Sequence, residues 1–218
     1  MARSTVRKAA PKRGDRETGP ARVPTPHVKR KQDRRRSAIM DAAALVFAER
    51  GYFNATMKDI ADRLGMRPAS LYHYYPSKEA ALEDMCRVSA VEFCERLQAI
   101  LARGGPAVAM VRAGMLAHLT SERRAYVENF AFSRRNLPPG VLKELNALAR
   151  AYRQLWKRIF VRGAERDEWR ADLDPDVAAD AVLALCNSAA TTLPRRKNAD
   201  QDAAMKWVEL FLLGTRKR

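Results

Sequence analysis

The stretch from residue 56 to residue 82 constrains the fold of this chain more than any other, because it packs helix starts and helix stops very close together. Thr56-Met57-Lys58-Asp59 sets a hydroxyl at a helix start with an acid three residues on, the pattern of a capping box with Asp in place of Glu. Ile60, Ala61 and Leu64 give that helix one apolar face, and Gly65 ends it after about two turns. Pro68, suited to the first helical position, opens a second short helix through Ala69-Ser70-Leu71-Tyr72-His73-Tyr74. A longer segment precedes them, in which Ile39, Ala42, Ala43, Val46 and Phe47 recur at helical spacing until Gly51 stops the run. Two short helices joined by a tight glycine-containing turn and packed on a longer one make a helix-turn-helix.

The remainder also reads as helix. Ser77 is a cap for a long fourth helix toward Ala102, and the chain breaks at Gly104-Gly105-Pro106, at Leu137-Pro138-Pro139-Gly140 and at Leu193-Pro194, with Asp174-Pro175 starting another helix. Alternating β-branched runs separated by hairpin turns are absent, so the expected class is all-α. The expected organisation is a basic, disordered arm over residues 1–32, a three-helix helix-turn-helix domain over 33–78, and a larger helical domain for ligand binding and dimerisation over 79–218.

Charge narrows the partners. The chain carries 41 Lys and Arg against 25 Asp and Glu, a net of +16, and the first 36 residues alone hold +10 of it. A Pro-rich, highly charged arm cannot bury enough apolar surface to order itself. Such arms meet polyanions by releasing condensed counterions, and a purely solubilising tail is the other reading. No apolar run approaches the ~20 residues of a membrane span, which leads to the expectation of a cytoplasmic protein with no membrane partner. Cys86, Cys94 and Cys186 form no CxxC pair, and His27, His73 and His118 are too scattered for a metal site, so no cofactor or metal is expected. Neither a Gly-rich phosphate loop, a GxSxG elbow nor a paired carboxylate constellation gives catalysis a foothold, and the chain is not expected to be an enzyme.

Phe47, Gly51-Tyr52, Thr56, Ile60-Ala61, Leu64-Gly65-Met66 and the run from Ser70 to Leu82 resemble, in order and spacing, the DNA-binding domain of the TetR (tetracycline repressor-like) family. The resemblance covers roughly residues 36–85. Beyond it the chain agrees with the family only in helical character and length. Membership implies a homodimeric regulator, by family habit a repressor, released from a palindromic double-stranded DNA operator by a small molecule. In such a protein Thr56 faces a phosphate at a helix N-terminus, and Lys58 reaches backbone or base. Arg67, Ala69, Ser70 and His73 match positions that enter the major groove, while Tyr74 and Lys78 match positions that grip phosphates. Tyr72 is divided between packing and DNA. Arg67 stands where the family commonly has Ser or Thr, which weakens the helix cap and offers a guanine-reading fork. Arg36, with Arg34 and Arg35, lies beside the same surface for phosphate or minor-groove contact. A sequence-indifferent architectural DNA-binding protein is the alternative reading.

For the C-terminal domain the apolar faces of the last two helices, with Val182, Leu185 and Ala189 on one and Trp207, Val208 and Phe211 on the other, suit a four-helix bundle with a partner subunit, the alternative being a core within the chain. Phe93, Met110, Met115, His118, Tyr126, Phe130, Tyr152 and Trp156 are candidates for an effector pocket, against plain core packing. Arg134 stands before Leu137-Pro138-Pro139 in a cluster that vaguely resembles those of regulators of lipid and acyl-CoA metabolism, where cations meet anionic head groups.

Overall fold

A computed structural model describes residues 26–121, 137–192 and 199–215 of the chain. Eight helices lie in these segments and no strand ladder: α1 Pro26–Arg50, α2 Met57–Arg63, α3 Pro68–Tyr72, α4 Lys78–Arg103, α5 Ala107–Leu119, α6 Pro139–Glu165, α7 Pro175–Thr192 and α8 Ala199–Thr215. The all-α class holds. Among the described residues no helix is long and apolar enough to cross a membrane.

The local signals read from the sequence act as expected. Thr56 accepts a hydrogen bond from Asp59 N while Asp59 receives one from Thr56 N, a complete capping box. Gly65 takes a positive φ of 59°, Gly65 N donates to Asp62 O and Met66 N to Ala61 O. That pair of bonds is a Schellman stop, which lets the chain turn at once into α3. Gly51 ends α1 with a φ of 75°. Ser77 caps α4 through Ala80 N, and Asp174 caps α7 through Asp176 N and Val177 N.

Two departures concern the first helix and the domain boundary. α1 begins at Pro26 rather than near residue 33, because the run from residue 27 to residue 32 contains good helix formers and no breaker. The core of the N-terminal head also outruns residue 78. It gathers Ile39, Val46, Phe47, Ile60, Leu71 and Tyr75, then takes Leu82, Met85 and Cys86 from α4, Leu137 from just before α6 and Leu145 from within it. A second core, built on Leu97, Val111, Met115, Trp156, Ile159, Phe160, Val182 and Val208, fills the body formed by α4 to α8.

The second core takes up several of the residues expected at the dimer face. Val182, Ala189, Val208 and Phe211 are buried inside one chain, and Leu185 and Trp207 pack partly against the same core. A side chain with no exposed surface left has none to bury against a partner. The outward faces differ: Leu210 is 66 % and Leu213 61 % exposed on α8, and Val177, Ala181, Ala184 and Ser188 form an exposed row on α7.

Trp169 closes the body by donating its indole N–H to Phe160 O at 3.0 Å, packed against Gly163 of α6. A Cβ at 163 would run into the indole nitrogen and the Ala107 methyl. Gly163→Ala should therefore lower stability by roughly 1–3 kcal/mol through overpacking, read as a lower urea midpoint with an unchanged slope.

Candidate functional site

α3 is anchored by a single buried residue, Leu71, and its other side chains point outward. Arg67, Ala69, Ser70 and His73 are all exposed, and Tyr72 is 51 % exposed, so Tyr72 belongs to the outer surface rather than to packing. Arg67 sits at the N-cap without a side-chain bond to the helix, which leaves its guanidinium uncommitted to capping. Lys58 stands on the exposed face of α2, paired at 2.6 Å with Asp62 one turn on. An ion pair this exposed contributes little and yields easily to a phosphate.

Four of the expected DNA contacts have other employment. Lys78 Nζ donates to the carbonyls of Tyr52, Phe53 and Ala55 at 2.9, 3.1 and 3.1 Å and lies 4.7 Å from the centre of the Tyr52 ring. An ammonium has three donors, and all three hold the α1–α2 turn. Arg36 donates to Asp84 Oδ2 at 2.9 Å and covers the Tyr75 ring at 5.2 Å, which ties α1 to α4. Thr56 gives its hydroxyl hydrogen to Asp59 Oδ2 at 2.7 Å, so it serves the cap. Tyr74 is half buried against the head core. The partners of Lys78 and Arg36 are three-dimensional neighbours that spacing cannot show, whereas Asp59, the partner of Thr56, lies within the capping box. Phe53, exposed on the turn beside Lys78's carbonyls, is an apolar surface residue that sequence reasoning passed over.

The other candidate site lies where the two cores meet. A cavity of about 190 Å³ is lined from α4 by Cys86, Ser89, Ala90 and Phe93, from α5 by His118, from α6 by Leu145, Leu148, Ala149 and Tyr152, and from α7 by Leu183 and Asn187. Phe93, His118 and Tyr152 are thus in the wall. Met110, Met115 and Trp156 are not; they are buried in the body core, where the plain packing reading applies. Tyr126, Phe130 and Arg134 lie outside the described residues. The missed wall residues follow a signal that was available: 86, 89, 90 and 93 on α4 and 145, 148, 149 and 152 on α6 form two facing helical stripes.

The cavity wall is almost wholly apolar, and its titratable groups show it. Burial pushes the Cys86 thiol up to about 12 and the His118 imidazole down to about 4, and raises the Tyr152 phenol. The three cysteines are free and buried, as packing residues rather than nucleophiles. Among the described residues no group of His, Cys, Asp and Glu is arranged to hold a metal.

An exposed, single-anchor reading helix on a compact three-helix head defines a helix-turn-helix DNA-binding protein. Residues 39–85 match the model of bacterial regulatory proteins of the tetR family, and residues 108–191 match that of the tetracyclin repressor-like C-terminal domain. The HTH-type transcriptional repressor KstR2 of Mycolicibacterium smegmatis is 30 % identical over 148 residues, which cover 66 % of this chain and 71 % of that protein. The structure of the ketosteroid transcriptional regulator KstR2 of Mycobacterium tuberculosis superimposes with a TM-score of 0.74 at 23 % identity, covering 84 % of this chain and 96 % of that one. AibR, solved in complex with isovaleryl coenzyme A and operator DNA, superimposes with a TM-score of 0.67 at 22 % identity over 81 % and 97 % of the two chains. The chain belongs to the TetR family and is a DNA-binding transcriptional regulator, not an enzyme.

The neutral state of His118 makes a measurable demand on stability. The unfolded chain takes up a proton on this residue below about 6.5, whereas the folded chain refuses it until about 4. Stability present above 6.5 is therefore lost as the pH falls through that window, by roughly 2–3 kcal/mol at pH 4.5. Urea midpoints at pH 7 and pH 4.5, at fixed protein concentration, should draw together in His118→Phe relative to the parent chain.

Proposed function

We propose that this chain acts as a homodimeric repressor, bound to a palindromic operator and released when a small apolar or acyl-type effector enters the cavity between α4, α6 and α7. The observation that carries this reading is the position of the cavity: Cys86 and Leu145 belong to the head core, Tyr152 packs against the body core, and α4 runs unbroken through both. A molecule seated there touches the helix on which the DNA head is mounted. The named functions of relatives agree: KstR2 is a transcriptional repressor, and AibR was captured with an acyl coenzyme A and operator DNA.

Base readout rests on Arg67, Ala69, Ser70, Tyr72 and His73, with Lys58 at the edge. Exposed Arg30, Lys31, Arg34 and Arg35 on the first half of α1 supply phosphate contacts, which extends the reading surface beyond the motif. Pairing two heads one helical turn apart, ~34 Å, requires a dimer. The exposed Leu210 and Leu213 of α8, together with the exposed row of Val177, Ala181, Ala184 and Ser188 on α7, are the surface for it, because small residues allow helices to approach closely and the leucines supply area. The net charge of +16 favours a second reading, sequence-indifferent binding to DNA.

Selection of the bound site from random DNA, followed by footprinting, separates the two: a regulator protects a symmetric site and prefers it over random DNA by ~10³ or more. Arg67→Ala should weaken binding to the selected site roughly 5- to 150-fold and relax preference at one base pair per half-site, with binding to random DNA nearly unchanged. Leu210→Glu with Leu213→Glu should yield a folded monomer by light scattering that no longer protects both half-sites together. A dimer surviving that double change would reject the α7–α8 face.

A further inference from the structure

The reading helix is short for the accuracy its task demands. α3 spans five residues and buries one of them, Leu71. A single buried side chain fixes where a helix sits and leaves its rotation about that point open. The Schellman turn at Gly65 sets how the chain enters α3. Its exit is set by Tyr75, whose N–H donates to Leu71 O at 3.1 Å and whose ring is buried in the head core.

Tyr75 is in turn held by one oxygen. Its hydroxyl donates to Asp84 Oδ2 at 2.6 Å, and Arg36 Nη2 donates to the same atom at 2.9 Å while its guanidinium lies 5.2 Å from the centre of the Tyr75 ring. Burial first, and the bond to Asp84 after it, push the Tyr75 phenol up to about 12, so at neutral pH it keeps its hydrogen for the carboxylate. Three elements thus meet on one atom: α1 through Arg36, the α3–α4 corner through Tyr75, and α4 through Asp84 itself. Arg36 also stands one turn before Ile39, the first buried residue of α1 among those described. The exposed Arg30, Lys31, Arg34 and Arg35 precede it, so the bond aims the basic half of α1 as well.

We propose that Asp84 is a positioning residue for DNA reading: its Oδ2, without touching DNA, sets the register between the base-reading α3 and the basic half of α1. The proposal rests on α3 as the reading helix and not on the cavity. It assigns a part in site preference to an acidic side chain, which a phosphate surface by itself would only repel. Register matters where base edges must be met, whereas the phosphates of random DNA carry no sequence to be matched.

The test uses the full chain with two probes, the site selected from random DNA and a random duplex of equal length. The readout is the ratio of the two affinities. A changed charge acts at long range on both duplexes alike, and partial unfolding lowers both affinities together, so neither moves the ratio. Arg36→Gln and Asp84→Asn break the ionic arm, the second leaving an acceptor for Tyr75, and Tyr75→Phe breaks the other arm. The ratio should fall roughly ten-fold in Arg36→Gln and in Asp84→Asn, and no further in the double variant, because both changes remove one bond. Tyr75→Phe should lower it as well. Binding of Arg36→Gln to random DNA should keep its salt dependence. A log–log salt slope shallower by about 0.9 per head in that variant makes Arg36 itself a phosphate contact and overturns the proposal. A ratio raised by Asp84→Asn overturns it too, since the carboxylate would then only withhold Arg36 from DNA. A ratio unmoved in all three variants leaves the reading helix standing and rejects Asp84 alone. Failure to select any site from random DNA overturns the regulator reading and this proposal together. If Asp84→Asn does not fold, Arg36→Gln and Tyr75→Phe decide by the same ratio.

Discussion

Everything in this molecule that concerns both DNA and ligand depends on α4 being one unbroken helix shared by two hydrophobic cores. Its first turns, through Ala81, Leu82, Met85 and Cys86, are buried in the head, and its later turns, through Cys94 and Leu97, are buried in the body. A helix cannot bend sharply without a proline, a glycine or a local break in its bonding, and the sequence from Lys78 to Arg103 contains neither residue. Displacing its middle therefore displaces its end. At that end Tyr75 donates to Asp84 at 2.6 Å and Arg36 closes on the same carboxylate, so the helix start is fastened to α1 as well as to the α3 side of the head. Lys78 fastens the α1–α2 turn to the same point.

The polar links across the rest of the junction are of a weaker kind. Arg87 pairs with Glu144 between α4 and α6, Arg153 with Asp176 and Asp180 and Lys157 with Asp176 between α6 and α7, and Arg112 with Glu209 between α5 and α8. All lie on the surface, where each pair contributes only a few tenths of a kcal/mol to about 1. The angle between head and body is thus set by packing around Cys86, Leu145, Leu148 and Phe93, the same residues that line the cavity. A ligand that alters their packing acts on the contacts that hold the angle, which the surface pairs do not. To shift operator affinity a hundred-fold it needs about 2.7 kcal/mol of preference for the released geometry, an amount within reach of a few buried methylene groups.

How much of this was legible in the sequence follows from how local each cause is. The helix-turn-helix was readable because capping at Thr56, the stop at Gly65 and the start at Pro68 are all decided within four or five residues. The caps at Ser77 and Asp174 were readable for the same reason. The faces of α7 and α8 were not. A stripe such as Val182, Cys186 and Ala189 shows that one face is buried, but not whether its cover comes from the same chain or from another. The opposite faces stay exposed, and Leu210 and Leu213 are marked only by being apolar where solvent should be. Met110, Met115 and Trp156 share their composition with the cavity wall and differ from it only by where α5 and α6 cross. Lys78 and Arg36 occupy positions whose charge is visible in the sequence, while the carbonyls and the carboxylate that engage them come from residues 23 to 48 positions away.

The cavity also explains why the body tolerates an imperfectly satisfied core. Among the described residues two buried nitrogens, His118 Nε2 and Trp156 Nε1, are without partners, and both lie in or just behind the cavity wall. An unpaired buried donor costs ~1–3 kcal/mol, and a void forfeits the dispersion contacts its lining would otherwise make. A chain selected only for stability would fill such a space, as the tight seat of Trp169 over Gly163 fills the far end of the same body. The deficit is confined to the point where α4 passes from one core to the other, and a bound molecule recovers it in proportion to its saturation.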